Sequence, residues 1–188
     1  MKECIMLAAG RSSRMGCWKM LLPWQDTTVL DMAIRNALAF CDRVILVTGY
    51  RAEELHQRYA HWPAVDLCHN AGYQAGMFSS VRCGAAALSG GRFFVVPGDM
   101  PAIDPTIYAQ LWRHQSLCCQ LPCYAGKNGH PVLLPAGMAA RITAAPEQST
   151  LRKLIQEYGC ISVPIDSPTV HWDLDTPAQY QQRLSNAC

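Results

Sequence analysis

Cys4-Ile5-Met6-Leu7-Ala8-Ala9-Gly10-Arg11-Ser12-Ser13-Arg14-Met15-Gly16 joins an apolar run, Cys4 to Ala8, to a loop of glycine, serine and arginine. The run is short, continuous and closed by glycine, the pattern of a strand buried on both faces. Outward from it the pattern repeats. Apolar runs at Arg43 to Thr48, Val65 to His69 and Arg92 to Val96 alternate with helical spacing at Thr28 to Phe40, Glu53 to Tyr59 and Met77 to Leu88. Leu30, Ile34, Ala37 and Leu38 share one side of the first helix, Thr28 and Asp31 are spaced as a capping box, and Gly90 with Gly91 closes the third helix. Asp104 with Pro105, and Thr176 with Pro177, are N-cap and first-turn pairs that start two further helices. This alternation predicts an α/β fold with right-handed crossovers, a three-layer α/β/α sandwich round a mostly parallel sheet. The later half is less regular: Leu117 to Tyr124, Pro131 to Leu134, Ile161 to Val163 and Val170 to Leu174 read as strands, and Gly126 to Gly129 as a turn, in antiparallel or mixed pairing.

The 188 residues suit one domain, with no repeat, linker or low-complexity tract to divide 1–188. Half of them are hydrophobic and 16% charged, and 16 basic against 14 acidic side chains leave a formal +2, which argues against a nucleic-acid partner. No run approaches the roughly 18 apolar residues of a membrane helix. The start resembles a signal peptide faintly, but Glu3, Arg11 and Arg14 stand where such a peptide carries no charge of that kind. A cytoplasmic protein is expected. The ten cysteines are scattered without a C-x-x-C pair, so buried thiols in a reducing compartment are expected in place of disulfides or a zinc site.

In open α/β sheets ligands sit beyond the carboxyl ends of the strands, so the loops there come first. The loop from Ala9 to Gly16 offers backbone N–H groups and, with Lys19, three cations: Arg11, Arg14 and Lys19. Such a loop can cradle a triphosphate. It is neither G-x-x-x-x-G-K-[ST] nor G-x-G-x-x-G. An ordinary surface loop with solvated arginines is the plainer alternative. Pro97-Gly98-Asp99-Met100-Pro101 fixes an acid at the end of the most apolar strand, where it serves as a Mg²⁺ ligand or a turn aspartate. Asp173 and Asp175 end the last expected strand on one face, where one of them could complete the metal site; both could equally be surface acids near a helix N-terminus. His130, before Pro131, is a base, a phosphate ligand or a turn residue. No H-E-x-x-H or G-x-S-x-G motif supports zinc or acyl hydrolysis.

LAAGRSSRMG at 7–16, Lys19 with LLP, PGDMP at 97–101, GHPVLLP at 129–135 and DLDTP at 173–177 stand in one order across nearly the whole chain. This ordered set resembles the nucleotidyltransferases of molybdenum cofactor synthesis, within the GT-A-like nucleotidyltransferase superfamily. Ala9 stands where guanylyl-transferring members carry a second glycine, so the resemblance is to the cytidylyl branch. It implies a Rossmann-like fold of the nucleotide-diphospho-sugar transferase type, a nucleotide-binding half to about residue 100 and an acceptor-binding half beyond. Leu7, Ala8, Ala9, Gly10, Arg11 and Ser12 would line the nucleotide, Arg14 and Lys19 would hold its triphosphate, and Ser80 and Asn70 would meet the base. Asp99 and Asp175 would bind Mg²⁺, or Mn²⁺, and His130 and Asp173 would face the acceptor. The chain departs from the commoner DTPED ending, reading Asp175-Thr176-Pro177-Ala178-Gln179.

The implied reaction is transfer of CMP from CTP to the terminal phosphate of molybdopterin or the molybdenum cofactor, with release of pyrophosphate. A phosphomonoester oxygen is largely ionised near neutrality, its second pKa being about 6, so no general base is needed. Molybdoenzymes or their insertion chaperones are the implied partners. Guanylyl transfer to the same pterin, cytidylyl transfer to a phosphorylated sugar or alcohol, and a non-catalytic cofactor carrier are the alternatives.

Overall fold

The fold is described from a computed structural model, which covers residues 1–186 with the side chain of Arg14 excepted. Its strands are β1 (Glu3–Leu7), β2 (Pro23–Trp24), β3 (Thr27–Thr28), β4 (Arg43–Thr48), β5 (Val65–His69), β6 (Phe93–Pro97), β7 (Cys119–Tyr124), β8 (Lys127–Asn128), β9 (Val132–Leu134) and β10 (Cys160–Pro164). Its helices are α1 (Val29–Leu38), α2 (Ala52–Tyr59), α3 (Met77–Ala86), α4 (Pro105–Arg113), α5 (Gly137–Ala144), α6 (Leu151–Tyr158) and α7 (Pro177–Asn186). Short 3₁₀ turns cover Ser13–Met15, Lys19–Leu21, Tyr73–Ala75 and Pro168–His171.

One mixed sheet runs β10-β7-β9-β6-β1-β4-β5, with β8 hairpinned onto β7. The apolar strand at the start of the chain is central: β1 lies parallel between β4 and β6, Ile5 opposite Ile45 on one side and Val95 on the other. Antiparallel β9 joins β6 to β7, and β10 returns to parallel pairing beyond. Side chains of β1 divide by parity between the two faces, as strand geometry requires. Cys4 and Met6 pack with Leu30, Ile34, Leu55 and Ile107 from α1, α2 and α4, whereas Ile5 packs with Val81, Met138, Ile142 and Leu154 from α3, α5 and α6. The fold is the expected three-layer α/β/α.

Helix α1 starts at Thr28, whose hydroxyl accepts the Asp31 N–H at 3.2 Å. The reciprocal half of the expected capping box is absent. Asp31 turns its carboxylate to Arg58, Tyr59 and Thr27 instead, pinning α1 to α2. The Gly126-to-Gly129 turn is displaced: the hairpin bends at Ala125 and Gly126, both with positive φ, and Lys127 and Asn128 already belong to β8. Helix α3 ends at Ala86, before the expected Leu88. Two helices unmarked in the sequence reading, α5 and α6, cover one face of the sheet.

The expected strand Val170 to Leu174 does not form. Val170 and His171 belong to a 3₁₀ turn, and residues 172–176 are irregular. The Val170 carbonyl accepts the His130 N–H at 2.9 Å, and a Cβ on Gly129 would lie 2.2 Å from that same oxygen. Close backbone docking against the 129–130 bend, with Pro168 at the turn's start, replaces ladder pairing here.

Buried thiols were expected throughout; among the described residues Cys4, Cys41 and Cys119 are buried, Cys17 and Cys160 are exposed, and the rest lie between. No helix among the described residues is long and apolar enough to cross a membrane.

Candidate functional site

The loop after β1 is held open by backbone geometry. The Ala8 N–H donates to the Val47 carbonyl and the Tyr50 N–H to the Ala9 carbonyl, fixing Ala8 and Ala9 in the buried floor between β1 and β4. Ser12 adopts a left-handed conformation, φ 56°, its carbonyl accepts the Met15 N–H, and its hydroxyl accepts the Lys19 N–H at 3.2 Å. This brings Lys19 back under the loop. Gly10 and Arg11 are exposed on its rim, with Leu7 at the end of the strand below. The Arg14 side chain lies outside the described residues.

Lys19 is buried, and its ammonium contacts the Asp99 carboxylate while lying 3.1 Å from Asp175 Oδ1. Loops separated by 80 and 156 positions from Lys19 thus converge on one point. Gly98 makes room for Asp99: a Cβ there would meet Leu30 at 2.9 Å and the Leu7 carbonyl at 3.1 Å, and the Gly98 N–H donates to that carbonyl. Asp173 and Asp175 do not lie on a strand, so their expected common face has no basis; irregular backbone carries both. Asp173 nevertheless feels the other two acids. Burial first, then the charges of Asp175 and Asp99, push its carboxyl above the ordinary range, against Arg183 at 3.5 Å.

The departure from the commoner ending is structurally absorbed. Gln179 Oε1 accepts the N–H groups of Asp175 and Thr176, and Thr176 Oγ1 accepts the Gln179 N–H at 3.3 Å, a complete capping box at the start of α7. Tyr180 donates to the Pro23 carbonyl at 2.5 Å and ties α7 to the β2–β3 hairpin.

Beyond β5, the Asn70 amide donates to the Ser79 and Ser80 hydroxyls at 2.8 and 3.0 Å, and its oxygen accepts the Gly72 N–H at 3.0 Å. Asn70 and Ser80 are therefore one buried unit. His130 is half-buried, its Nδ1 has no hydrogen-bond partner among the described residues, and burial holds its imidazole below the ordinary value despite the nearby Asp99 charge.

Sequence reasoning missed Tyr50 and Tyr73, whose rings flank the Arg11 guanidinium at 5.8 and 5.7 Å, Tyr73 also accepting its N–H at 3.3 Å. A signal was present. Gly49-Tyr50 and Gly72-Tyr73 both follow strand ends at the site edge. Arg51 likewise lies over Trp18, 4.4 Å from the ring centre.

Two carboxylates meeting a lysine beneath a cation-bearing loop, at the carboxyl edge of a three-layer sheet, define the class: a nucleotidyltransferase of α/β architecture. The chain belongs to the MobA-like NTP transferase domain family, whose profile matches residues 4–162. The molybdenum cofactor cytidylyltransferase of Escherichia coli (strain K12) is 39% identical over 178 residues, 95% of this chain and 93% of that one. A probable molybdenum cofactor guanylyltransferase of Methanosarcina mazei is 30% identical over 120 residues, 61% of this chain and 54% of that one. Among solved structures, the Rv0371c homologue of Mycobacterium sp. strain JC1 superposes with a TM-score of 0.84 at 24% identity, covering 99% of this chain and 96% of that one. Rv0371c of Mycobacterium tuberculosis H37Rv in complex with manganese gives a TM-score of 0.80 at 24% identity, covering 98% of each chain. The two structural likenesses concern the fold.

Proposed function

We propose that this protein transfers CMP from CTP to the terminal phosphate of molybdopterin or the molybdenum cofactor, releasing pyrophosphate and giving the cytosine dinucleotide form. The convergence of Asp99 and Asp175 on Lys19 beneath the 8–16 loop carries the reading. The relative at 39% identity along nearly the full chain supports the choice of nucleotide and acceptor. Leu7, Ala8, Ala9, Gly10, Arg11 and Ser12 receive the nucleotide, with backbone N–H groups turned to phosphate oxygens. Arg14 and Lys19 offset the triphosphate charge, and the Asn70–Ser80 unit presents fixed polar groups to the base. His130 and Asp173 face the acceptor, in the half of the chain beyond about residue 100.

The donor set suits a divalent cation. Two carboxylates already converge on a positive charge, and Mg²⁺ is commonly held by one or two carboxylates with substrate phosphates completing its shell. Asp99 and Asp175 would hold it; Mn²⁺, present in the mycobacterial structure at 24% identity, suits the same oxygens. Bound there, the metal would neutralise charge on the phosphates. The protein's own residues supply alignment and charge: the loop fixes the triphosphate, Lys19 and Arg14 oppose the growing negative charge, and the acceptor phosphate attacks already ionised. This accounts for a site rich in cations and, among the described residues, without a nucleophile–base pair.

The guanylyl reading has support from the Methanosarcina relative, and Ala9 weighs against it. Product delivery to a molybdoenzyme or an insertion chaperone, in the cytoplasm, belongs to the same proposal. CTP labelled at the α-phosphorus tests it: with Mg²⁺ and the pterin, label moves into a pterin dinucleotide. Label that stays in CTP, despite nucleotide binding, would favour the cofactor carrier.

A further inference from the structure

Cys68 on β5 and Cys83 on α3 approach closely, Sγ to Sγ 2.9 Å, in a region that belongs to neither the phosphate loop nor the acid cluster. Neither thiol is fully buried, so a small oxidant can reach the pair. The Cys68 sulfur also lies 3.5 Å from the Cys83 carbonyl, and the Cys83 sulfur 3.7 Å from the His69 carbonyl. The two side chains therefore face each other across the strand–helix contact.

Their position is informative. Cys68 precedes Asn70 by two residues on the same chain segment. Cys83 lies three and four positions after Ser80 and Ser79 on α3, so all three occupy one side of the helix. That side is the one Asn70 reaches with both hydrogen bonds. A bond between the sulfurs would close a loop over residues 68–83 and clamp β5 to α3 immediately beside the Asn70–Ser79–Ser80 cluster.

We propose that Cys68 and Cys83 form a reversible dithiol–disulfide modification site, oxidised by a small-molecule disulfide such as oxidised glutathione, which changes the geometry of the Asn70–Ser80 unit. The effect on nucleotide use rests on the proposed function; disulfide formation does not. Burial and the neighbouring sulfur raise the Cys83 thiol to about 12, which disfavours its thiolate as the first nucleophile. Cys68, as thiolate, attacks one sulfur of the oxidant, forming a mixed disulfide and releasing one thiolate. Cys83 then passes its proton to the thiolate just released and attacks the Cys68 sulfur, releasing the second thiolate, which takes a proton from water. Both protein thiols are oxidised, the oxidant is reduced to two thiols, and electrons balance. Bond formation requires the sulfurs to draw in from 2.9 Å to about 2.05 Å, a movement shared by β5, which leads into Asn70, and by α3, which carries Ser79 and Ser80.

The full-length protein, equilibrated in glutathione buffers of increasing oxidised fraction, is alkylated and mapped by mass spectrometry without reduction. A peptide cross-linked through Cys68 and Cys83 is expected, lost with dithiothreitol and absent from Cys83→Ser and Cys68→Ser. Oxidised protein should also gain several degrees in Tm, since the closed loop restricts the unfolded chain. If both cysteines remain separately alkylated, or each carries one glutathione without joining, the disulfide is overturned. With pyrophosphate release as the readout, the oxidised protein should show a KM for CTP raised by roughly threefold to tenfold, restored by reduction and absent from Cys83→Ser. A cross-link that forms while KM for CTP stays unchanged would overturn the placement of the base beside Asn70 and Ser80 and leave the disulfide standing.

Discussion

Lys19 stands between Asp99 and Asp175, and its removal differs in consequence from theirs. Asp99→Ala deletes a proposed metal ligand and should cut kcat by at least about 100-fold, the scale of losing a preorganised electrostatic group. Steady-state kinetics at saturating CTP and Mg²⁺ would check it, and unchanged turnover would refute the metal assignment. Lys19→Ala should act mainly on KM for CTP. Gly98→Ala tests the scaffold beneath: its methyl group would press on Leu30 and the Leu7 carbonyl, and a loss of roughly 1–3 kcal/mol by denaturant titration is expected. Asp99 and Asp175 were legible because glycine or proline stands within two residues of each at the end of an apolar-rich stretch, and Lys19 because it follows closely on the glycine- and arginine-bearing loop after the first strand. Tyr73 was harder to find, since its contact with Arg11 forms only when loops distant in sequence are brought together, whereas Gln179 stands three residues after Thr176 in the local spacing of a capping box.

Among the elements, the α1–α2 pair shows most clearly how one buried charge fixes packing. Burial alone would raise the Asp31 carboxyl, but hydrogen bonds from Arg58, Tyr59, Thr27 and Thr28 overcome it and hold the group well below the usual carboxylate range. The folded state therefore takes up its proton later than the unfolded chain does. Asp31 contributes its full stabilisation above the unfolded value near about pH 4 and loses it progressively as pH falls towards the folded value. Asp31→Asn should cost roughly 1–3 kcal/mol at neutral pH and flatten the stability profile below about pH 4, read by thermal melts across acid buffers. Gln179→Ala should remove about 1 kcal/mol of capping at α7 and lower activity through the Asp175 segment. The parallel half of the fold was legible because β1, β4 and β6 are buried, largely apolar runs between helical patterns. Val170 to Leu174 misled because its apolar residues alternate with polar ones, whereas backbone docking on the 129–130 bend decided its shape. Helix α5 lacks a side-chain cap to mark its start, whereas α6 carries local signals that the sequence reading did not take up: Thr150 accepts the Lys153 N–H at its start and Gly159 closes it.

For the whole molecule, the central β1 strand couples fold and function: its two faces anchor both helical layers, and its end launches the loop that meets Lys19. The second half of the chain returns through β9 to pair with β6, bringing His130 and the 173–175 segment to the same edge of the sheet. The proposed reaction would hold two substrates in line, one from each half, and the family model and the long Escherichia coli match agree on nucleotidyl transfer. In the proposed function base choice would rest on the small surface at Ala9 and the Asn70–Ser80 unit, and it is the sharpest point of the proposal. The decisive measurement is pyrophosphate release by the purified protein with Mg²⁺ and molybdenum cofactor, comparing CTP with GTP, ATP and UTP. Release with CTP that requires the pterin, well above the other three nucleotides, is the expected result. Equal rates with GTP and CTP, or no release with any nucleotide, would contradict it.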